Sequence, residues 1–142
     1  AAVCVVDGHL FVVGGHSEDG CFLLSSVEVY VPAEQRWASI PDMPKMACFV
    51  AAVGMGGKML VLGGCSNAIT MEPTNMVLEY NLASRCWKEL PSMPTARRGC
   101  PVVVLGADVL VMGGVGLSDQ GFCYPKAVER YDSLSQRWEA IA

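Results

Sequence analysis

The chain has 142 residues, of which 52% are hydrophobic and only 17% charged, with a net charge of −4, a pI near 5.0 and a mean hydropathy of +0.37. That composition excludes a disordered chain, and without a basic stripe it excludes the electrostatic footprint of a nucleic-acid binder. The apolar runs, such as Met59–Leu62 and Val102–Leu105, fall far short of the roughly 18 residues that a spanning helix needs, so no membrane insertion is expected.

The charged fraction lies below the roughly 25% usual in soluble domains, so some apolar surface is expected to meet a partner. Seven cysteines, Cys4, Cys21, Cys48, Cys65, Cys86, Cys100 and Cys123, form no CxxC pair. Zinc or disulfide-exchange chemistry is therefore not expected, and reduced, mostly buried thiols in a cytoplasmic protein fit better. Cys100, near Arg97 and Arg98, and Cys86, beside Arg85, are the two with the nearby cation that a reactive thiol needs. His9 and His16 are the only histidines, and neither has Cys, Asp or Glu at ligand spacing, so no metal and no cofactor are expected. The chain starts at Ala1 inside an apolar run and shows no leader, which reads as a piece of something longer.

In chain order, Ala1–Val6 reads as a first strand, and Asp7-Gly8 as a turn. The next strand runs through Leu10-Phe11-Val12-Val13 to Gly14-Gly15, a third occupies Ser26–Tyr30, and a fourth starts at Trp37 and runs to Ile40. The pattern then repeats. Ala47–Val53, the Gly56-Gly57 turn, Leu60-Val61-Leu62 before Gly63-Gly64, Met76–Tyr80 and Trp87–Leu90 form a second set. Val102–Leu105, the Gly106-Ala107 turn, Leu110-Val111-Met112 before Gly113-Gly114, Ala127–Tyr131 and Trp138–Ile141 form a third. Runs of four or five Val, Leu and aromatic residues between Gly, Pro, Asn, Asp and Ser signal strands and turns. No stretch carries capped helical periodicity.

The period is about fifty residues. Each Tyr precedes its Trp by seven positions, and Trp37 and Trp87 precede the next glycine pair by 26. Ile40-Pro41-Asp42-Met43-Pro44 and Leu90-Pro91-Ser92-Met93-Pro94 recur in register as well. Four antiparallel strands per unit at this spacing predict an all-β fold of propeller blades.

The doubled glycine, the segments Val27-Glu28-Val29-Tyr30 and Val128-Glu129-Arg130-Tyr131-Asp132, the Trp and the Leu-Pro-Ser-Met-Pro segment resemble the kelch-repeat family, over essentially the whole chain. In the middle repeat, Val77-Leu78-Glu79-Tyr80, the Glu is shifted by one. The resemblance implies an incomplete kelch-type β-propeller of about three four-stranded antiparallel blades, at residues 1–42, 43–92 and 93–142 approximately, where the family has five to seven.

Each marker has a physical role. The glycine pairs are expected where the chain turns with φ > 0 and a neighbouring blade comes too close for a Cβ. With no GxGxxG and no following helix, they do not read as a phosphate loop. The tyrosines and tryptophans are placed to pack between blades, contributing on the order of 2–3 kcal/mol each when buried.

In such a meander the loops from second to third strand share one rim with the connections between repeats. From the second glycine to the Tyr the spacing is 15, 16 and 17, while Tyr to Trp is invariant, and loops that vary on a constant scaffold are where recognition is expected. The candidate binding rim is therefore His16, Ser17, Glu18, Asp19, Ser66, Asn67, Ser118, Asp119, Gln120 and Tyr124, joined by Arg97 and Arg98 from a connection. Two readings stay open for Arg97: a solvated side chain or local ion pair, or a contact to a partner's carboxylate. The first connection, Lys45-Met46-Ala47, has no such Arg.

The resemblance implies a protein-interaction module, as in the substrate-recruiting parts of ubiquitin ligases or in cytoskeletal scaffolds, with an unidentified protein partner and no catalytic residues. Two alternatives are an enzyme on a kelch-like propeller, a copper-radical oxidase or a sugar-processing enzyme, and a structural half-propeller that self-assembles. Self-association through exposed blade faces, with a segment marginal in isolation, is expected for three blades without neighbours.

Overall fold

A computed structural model describes residues 1–142. Fourteen strands form three four-stranded antiparallel sheets and one small hairpin. The first sheet holds β1 (Ala2–Val6), β2 (His9–Val13), β3 (Val27–Val31) and β4 (Arg36–Ile40) in sequence order. The second holds β5 (Ala51–Met55), β6 (Lys58–Leu62), β7 (Val77–Asn81) and β8 (Cys86–Glu89). The third holds β9 (Val102–Leu105), β10 (Asp108–Val111), β13 (Glu129–Asp132) and β14 (Arg137–Ala140). Between its second and third strands lies a hairpin of β11 (Gly116–Ser118) and β12 (Gly121–Cys123). The same register recurs in all three: Tyr30 stands opposite Trp37, Tyr80 opposite Trp87 and Tyr131 opposite Trp138.

Two departures from the sequence reading have local causes. The first strand of the second sheet starts at Ala51, not Ala47. Residues 47–50 are taken up by the connection between sheets, in which Phe49 holds a left-handed φ of 53° and Cys48 bridges to Cys65. The β11–β12 hairpin is not anticipated, because its three-residue strands are too short to show alternation.

Burial follows from stacking. In β6 the four residues Met59–Leu62 are all buried, whereas in β2 and β10 burial alternates. The reason is that successive strand side chains point to opposite faces. Met59, Val61, Leu78 and Tyr80 of the second sheet pack with Phe11, Val13, Val27 and Val29 of the first. Leu60, Leu62 and Val77, from its other face, pack with Val109, Val111 and Tyr131 of the third. The middle sheet is thus covered on both sides, and each outer sheet on one.

Tyrosine and tryptophan fasten the stack. The paired rings lie 5.3, 5.0 and 5.2 Å apart in the three sheets. The indole N–H of Trp87 donates to the Pro41 carbonyl of the preceding unit at 2.8 Å, and that of Trp138 to Pro91 at 2.8 Å. Trp37 makes no such bond in the structure and is 51% exposed.

The glycine pairs are sites of close backbone approach. The Gly64 N–H donates to the Arg97 carbonyl at 2.8 Å, and the Gly15 N–H to the Ala47 carbonyl at 3.0 Å. A Cβ on Gly64 would stand 2.6 Å from the Cys48 carbonyl, and one on Gly63 would overlap the Arg97 carbonyl, with both residues at positive φ. At Gly106, in contrast, a Cβ would meet nothing. Gly63→Ala is expected to cost about 3 kcal/mol or more, from left-handed strain plus steric overlap, and Gly106→Ala about 1 kcal/mol from strain alone. Urea denaturation of the two variants measures the difference.

Candidate functional site

The loops from second to third strand and the connections between sheets lie together on one rim, and backbone pairing knits them. Cys48 of the first connection bridges to Cys65, Arg97 of the second to Thr74, and Arg98 to Val115. Several of the polar residues here are turn formers. Ser17 donates from Oγ to Asp19 Oδ1 at 2.5 Å, which with the Cys21 N–H holds the Asp19 carboxyl below the usual range. Asn67 Oδ1 accepts from the Ile69 and Thr70 amides at 2.8 and 3.0 Å, and Ser118 Oγ donates to the Gly121 carbonyl at 3.1 Å. His16, Glu18, Ser66, Asp119, Gln120 and Tyr124 are exposed along the same rim.

Its centre is an aromatic and cationic stack. The Arg98 guanidinium carbon lies 5.6 Å from the centre of the Phe49 ring and 5.2 Å from that of Phe122, within cation–π distance of both. His16 meets Phe49 edge to face at 5.5 Å. Both phenylalanines are exposed, at 44% and 54%. Four segments contribute: a loop of the first sheet, two connections and the β11–β12 hairpin. Arg98 is half-buried, with Nε sealed from solvent and unpaired, so only its Nη groups are open to an external acceptor.

Phe49 and Phe122 are absent from the sequence-derived rim. Phe122 belongs to the unforeseen hairpin. Phe49 falls inside what reads as a strand, and its left-handed φ is what turns it out to the rim.

Arg97 requires a correction. It is neither solvated nor available to a partner, being completely buried. Nη1 donates to the Gly113 carbonyl at 3.0 Å and Nη2 to the Ala127 carbonyl at 2.7 Å. Glu129 Oε1 lies 3.5 Å from Nη2 and accepts from the Thr95 hydroxyl. The local ion pair foreseen as one option exists, but inside the molecule. Arg97 belongs by its backbone to the second sheet's glycine pair and by its side chain to the third sheet, so it spans the junction.

At the preceding junction the same places are apolar. Ala47 stands where Arg97 does, its carbonyl over the Gly14-Gly15 pair, and the buried Leu78, two residues before Tyr80, stands where Glu129 does before Tyr131.

The cysteines are less buried than the sequence suggests: Cys48, Cys65 and Cys100 are buried, Cys4 and Cys123 are partly exposed, and Cys21 and Cys86 are exposed. Cys100 is buried, which raises its thiol against the opposing effect of Arg97, in line with the structural role favoured for the cysteines. Burial and the neighbouring Cys65 push Cys48 up to about 12. No cluster of three or more His, Cys, Asp or Glu could hold a metal, and no helix is long and apolar enough to cross a membrane.

Stacked four-stranded meanders, with first strands side by side and loops gathered on a common rim, define blades of a β-propeller. The family model described as Kelch motif matches residues 1–44 and 46–94, and the chain belongs to the kelch-repeat family. It is similar to an F-box/kelch-repeat protein of Arabidopsis thaliana, 42% identical over 82 residues, covering 56% of this chain and 21% of that protein. It is also similar to human Kelch-like protein 35, 40% identical over 62 residues (44% and 10% of the two chains). Alpha-scruin of Limulus polyphemus is 35% identical over 72 residues (51% and 8%). The matched stretch thus spans about a fifth or less of the length of these relatives.

Removing the guanidinium would leave Glu129 charged and buried, so Arg97→Ala is expected to destabilise by about 3–5 kcal/mol. Adding Glu129→Leu, which reproduces the Ala47 and Leu78 arrangement, is expected to recover at least half of that loss. Equilibrium unfolding of single and double variants reads both numbers.

Proposed function

We propose that the rim binds a protein partner through an acidic segment, with Arg98 as the anchor. Kelch repeats are in general protein-interaction modules. What supports this rim in particular is one observation: the Arg98 guanidinium, held between the Phe49 and Phe122 rings, keeps its two outer Nη groups unspent, while Nε is buried. A planar guanidinium donates two parallel hydrogen bonds to a carboxylate, here end-on from the two Nη groups. Flanking aromatic rings hold it in place beforehand, which lowers the ordering cost of binding, and Arg with aromatic neighbours is the composition of interface hot spots.

The partner's carboxylate meets Arg98, and its neighbouring residues lie along His16, Ser66, Asn67, Gln120 and Tyr124. Glu18, Asp19 and Asp119 at the periphery repel a partner whose acidic residues are out of register, which adds selectivity. The role is recruitment rather than catalysis, in a cytoplasmic setting. Similarity to proteins named F-box/kelch-repeat and Kelch-like supports a substrate-recruiting part of a ubiquitin ligase as the whole-protein context.

Arg98→Ala and Phe122→Ala in the full-length protein are each expected to weaken the partner's affinity at least tenfold, about 1.4 kcal/mol. Arg137→Ala, on the opposite rim, is expected to leave it unchanged. Affinity capture with each variant identifies the partners that depend on Arg98, and calorimetry on those partners gives the affinities. Partners retained equally by Arg98→Ala would contradict the proposal.

A further inference from the structure

Two grooves of similar size run between neighbouring blades, and their chemistry differs. The first, about 300 Å³, lies between the first and second blades, with Phe11, Val29, Ala38 and Ile40 on one wall and Tyr80 and Leu82 on the other. The second, about 280 Å³, lies between the second and third blades and is lined by Lys58, Leu60, Glu79, Tyr131, Ser133 and Gln136. Counted from the glycine pairs and the tyrosines, these are the same places. Lys58 stands for His9, Leu60 for Phe11, Glu79 for Val29, Ser133 for Leu82 and Gln136 for Arg85.

Strand register accounts for the contrast. Glu79 stands opposite Leu60 on β6 and Lys88 on β8, and its carboxylate lies 3.5 and 3.4 Å from the Lys58 and Lys88 ammonium groups. In the third blade Arg130 holds the place of Glu79 and pairs with Asp108 and Glu139, which hold the places of the two lysines. These blades thus carry a charged triad whose members pair with one another. The first blade has Val29 between Phe11 and Ala38 instead. Its groove is apolar, and the arginine at its mouth, Arg85, is exposed and takes part in none of the chain's salt bridges. Gln35 and Gln136 hold the place of Arg85 in the other two blades, all three with a left-handed backbone.

We propose that the groove between the first and second blades binds a small apolar carboxylic acid. Its hydrocarbon part lies against Phe11, Val29, Ala38 and Leu82, and its carboxylate meets the Arg85 guanidinium. A mostly apolar wall with few polar groups, at this volume, is the composition of a small-ligand site. The guanidinium selects the charge, since it donates two parallel hydrogen bonds to a carboxylate and repels a cation. The other polar residues of the groove bring no carboxylate to satisfy it: Ser39 is neutral, and His9 donates from Nδ1 to the Asp7 carbonyl at 2.9 Å. Across the molecule, the second groove rejects the same ligand, because Glu79 already places a carboxylate where the hydrocarbon would lie. The site is separate from the Arg98 rim and does not rest on the function proposed for it.

Calorimetric titration of the full-length protein with decanoate, below its micelle concentration, tests the proposal. Saturable binding at one site is expected, and none of comparable strength for decyltrimethylammonium. Arg85→Gln, which installs the residue of the other two blades, is expected to weaken decanoate by about fivefold. Val29→Glu, which gives the groove the carboxylate of the second, is expected to weaken it by about tenfold or more. Gln136→Asn, in the second groove, is expected to leave the affinity unchanged. No saturable binding of decanoate, equal binding of decyltrimethylammonium, or an affinity unchanged in Arg85→Gln would overturn the proposal, and this last result decides even where Val29→Glu fails to fold.

Discussion

The fold depends on one short contact: the carbonyl of a connection residue lying across the glycine pair that ends a second strand. Gly15 meets Ala47 in this way and Gly64 meets Arg97. The contact requires a residue without a Cβ, and it draws the connection tight against the blade it leaves. From there the chain can reach the next blade only along one path. Tyrosine burial, the tryptophan latch onto proline and the stacking of first strands all follow from that path. The middle blade shows the result, with both faces of β6 buried.

The same contact decides which residues face the rim and which face the junction. Arg97 and Arg98 are adjacent, yet one is sealed between blades and the other lies on the rim between two phenylalanines. Successive residues of an extended connection point to opposite sides. Once the Arg97 carbonyl is pinned over Gly64, the side chain of Arg97 enters the third blade and that of Arg98 turns outward. The buried pair adds little net stability compared with an apolar pair, because desolvation offsets its Coulomb attraction. It does distinguish junctions: an arginine beside Leu78, or an alanine beside Glu129, would leave a buried charge unpaired. Blade order is thereby written into side-chain chemistry at positions that the repeat pattern otherwise treats as equivalent.

Much of the architecture was legible because its determinants are local and repeated. The doubled glycines, the seven-residue spacing of Tyr to Trp and the alternation in β2 and β10 each report the environment of their own strand. The candidate site was less legible, because its residues meet only after blades stack. Phe49 looks like part of a strand until its left-handed backbone is known, and Phe122 sits in a hairpin too short to announce itself. Arg97 reads as a rim residue from loop position alone. Its true partner, Glu129, lies more than half a repeat away and is found only through strand register. The shifted Glu79 of the middle repeat illustrates the same limit: it pairs with Lys58 and Lys88 at 3.5 and 3.4 Å, and the junction position is left to Leu78.

Amide hydrogen exchange on the full-length protein tests the central claim most directly. If connection carbonyls over glycine pairs hold the blades together, the Gly15 and Gly64 amides exchange only through global opening. Their protection is then as high as that of Val61 in the core of β6. Exchange of Gly15 and Gly64 at the rate of the exposed rim loops, with Val61 still protected, would show that the blades cohere without these contacts and would contradict the account.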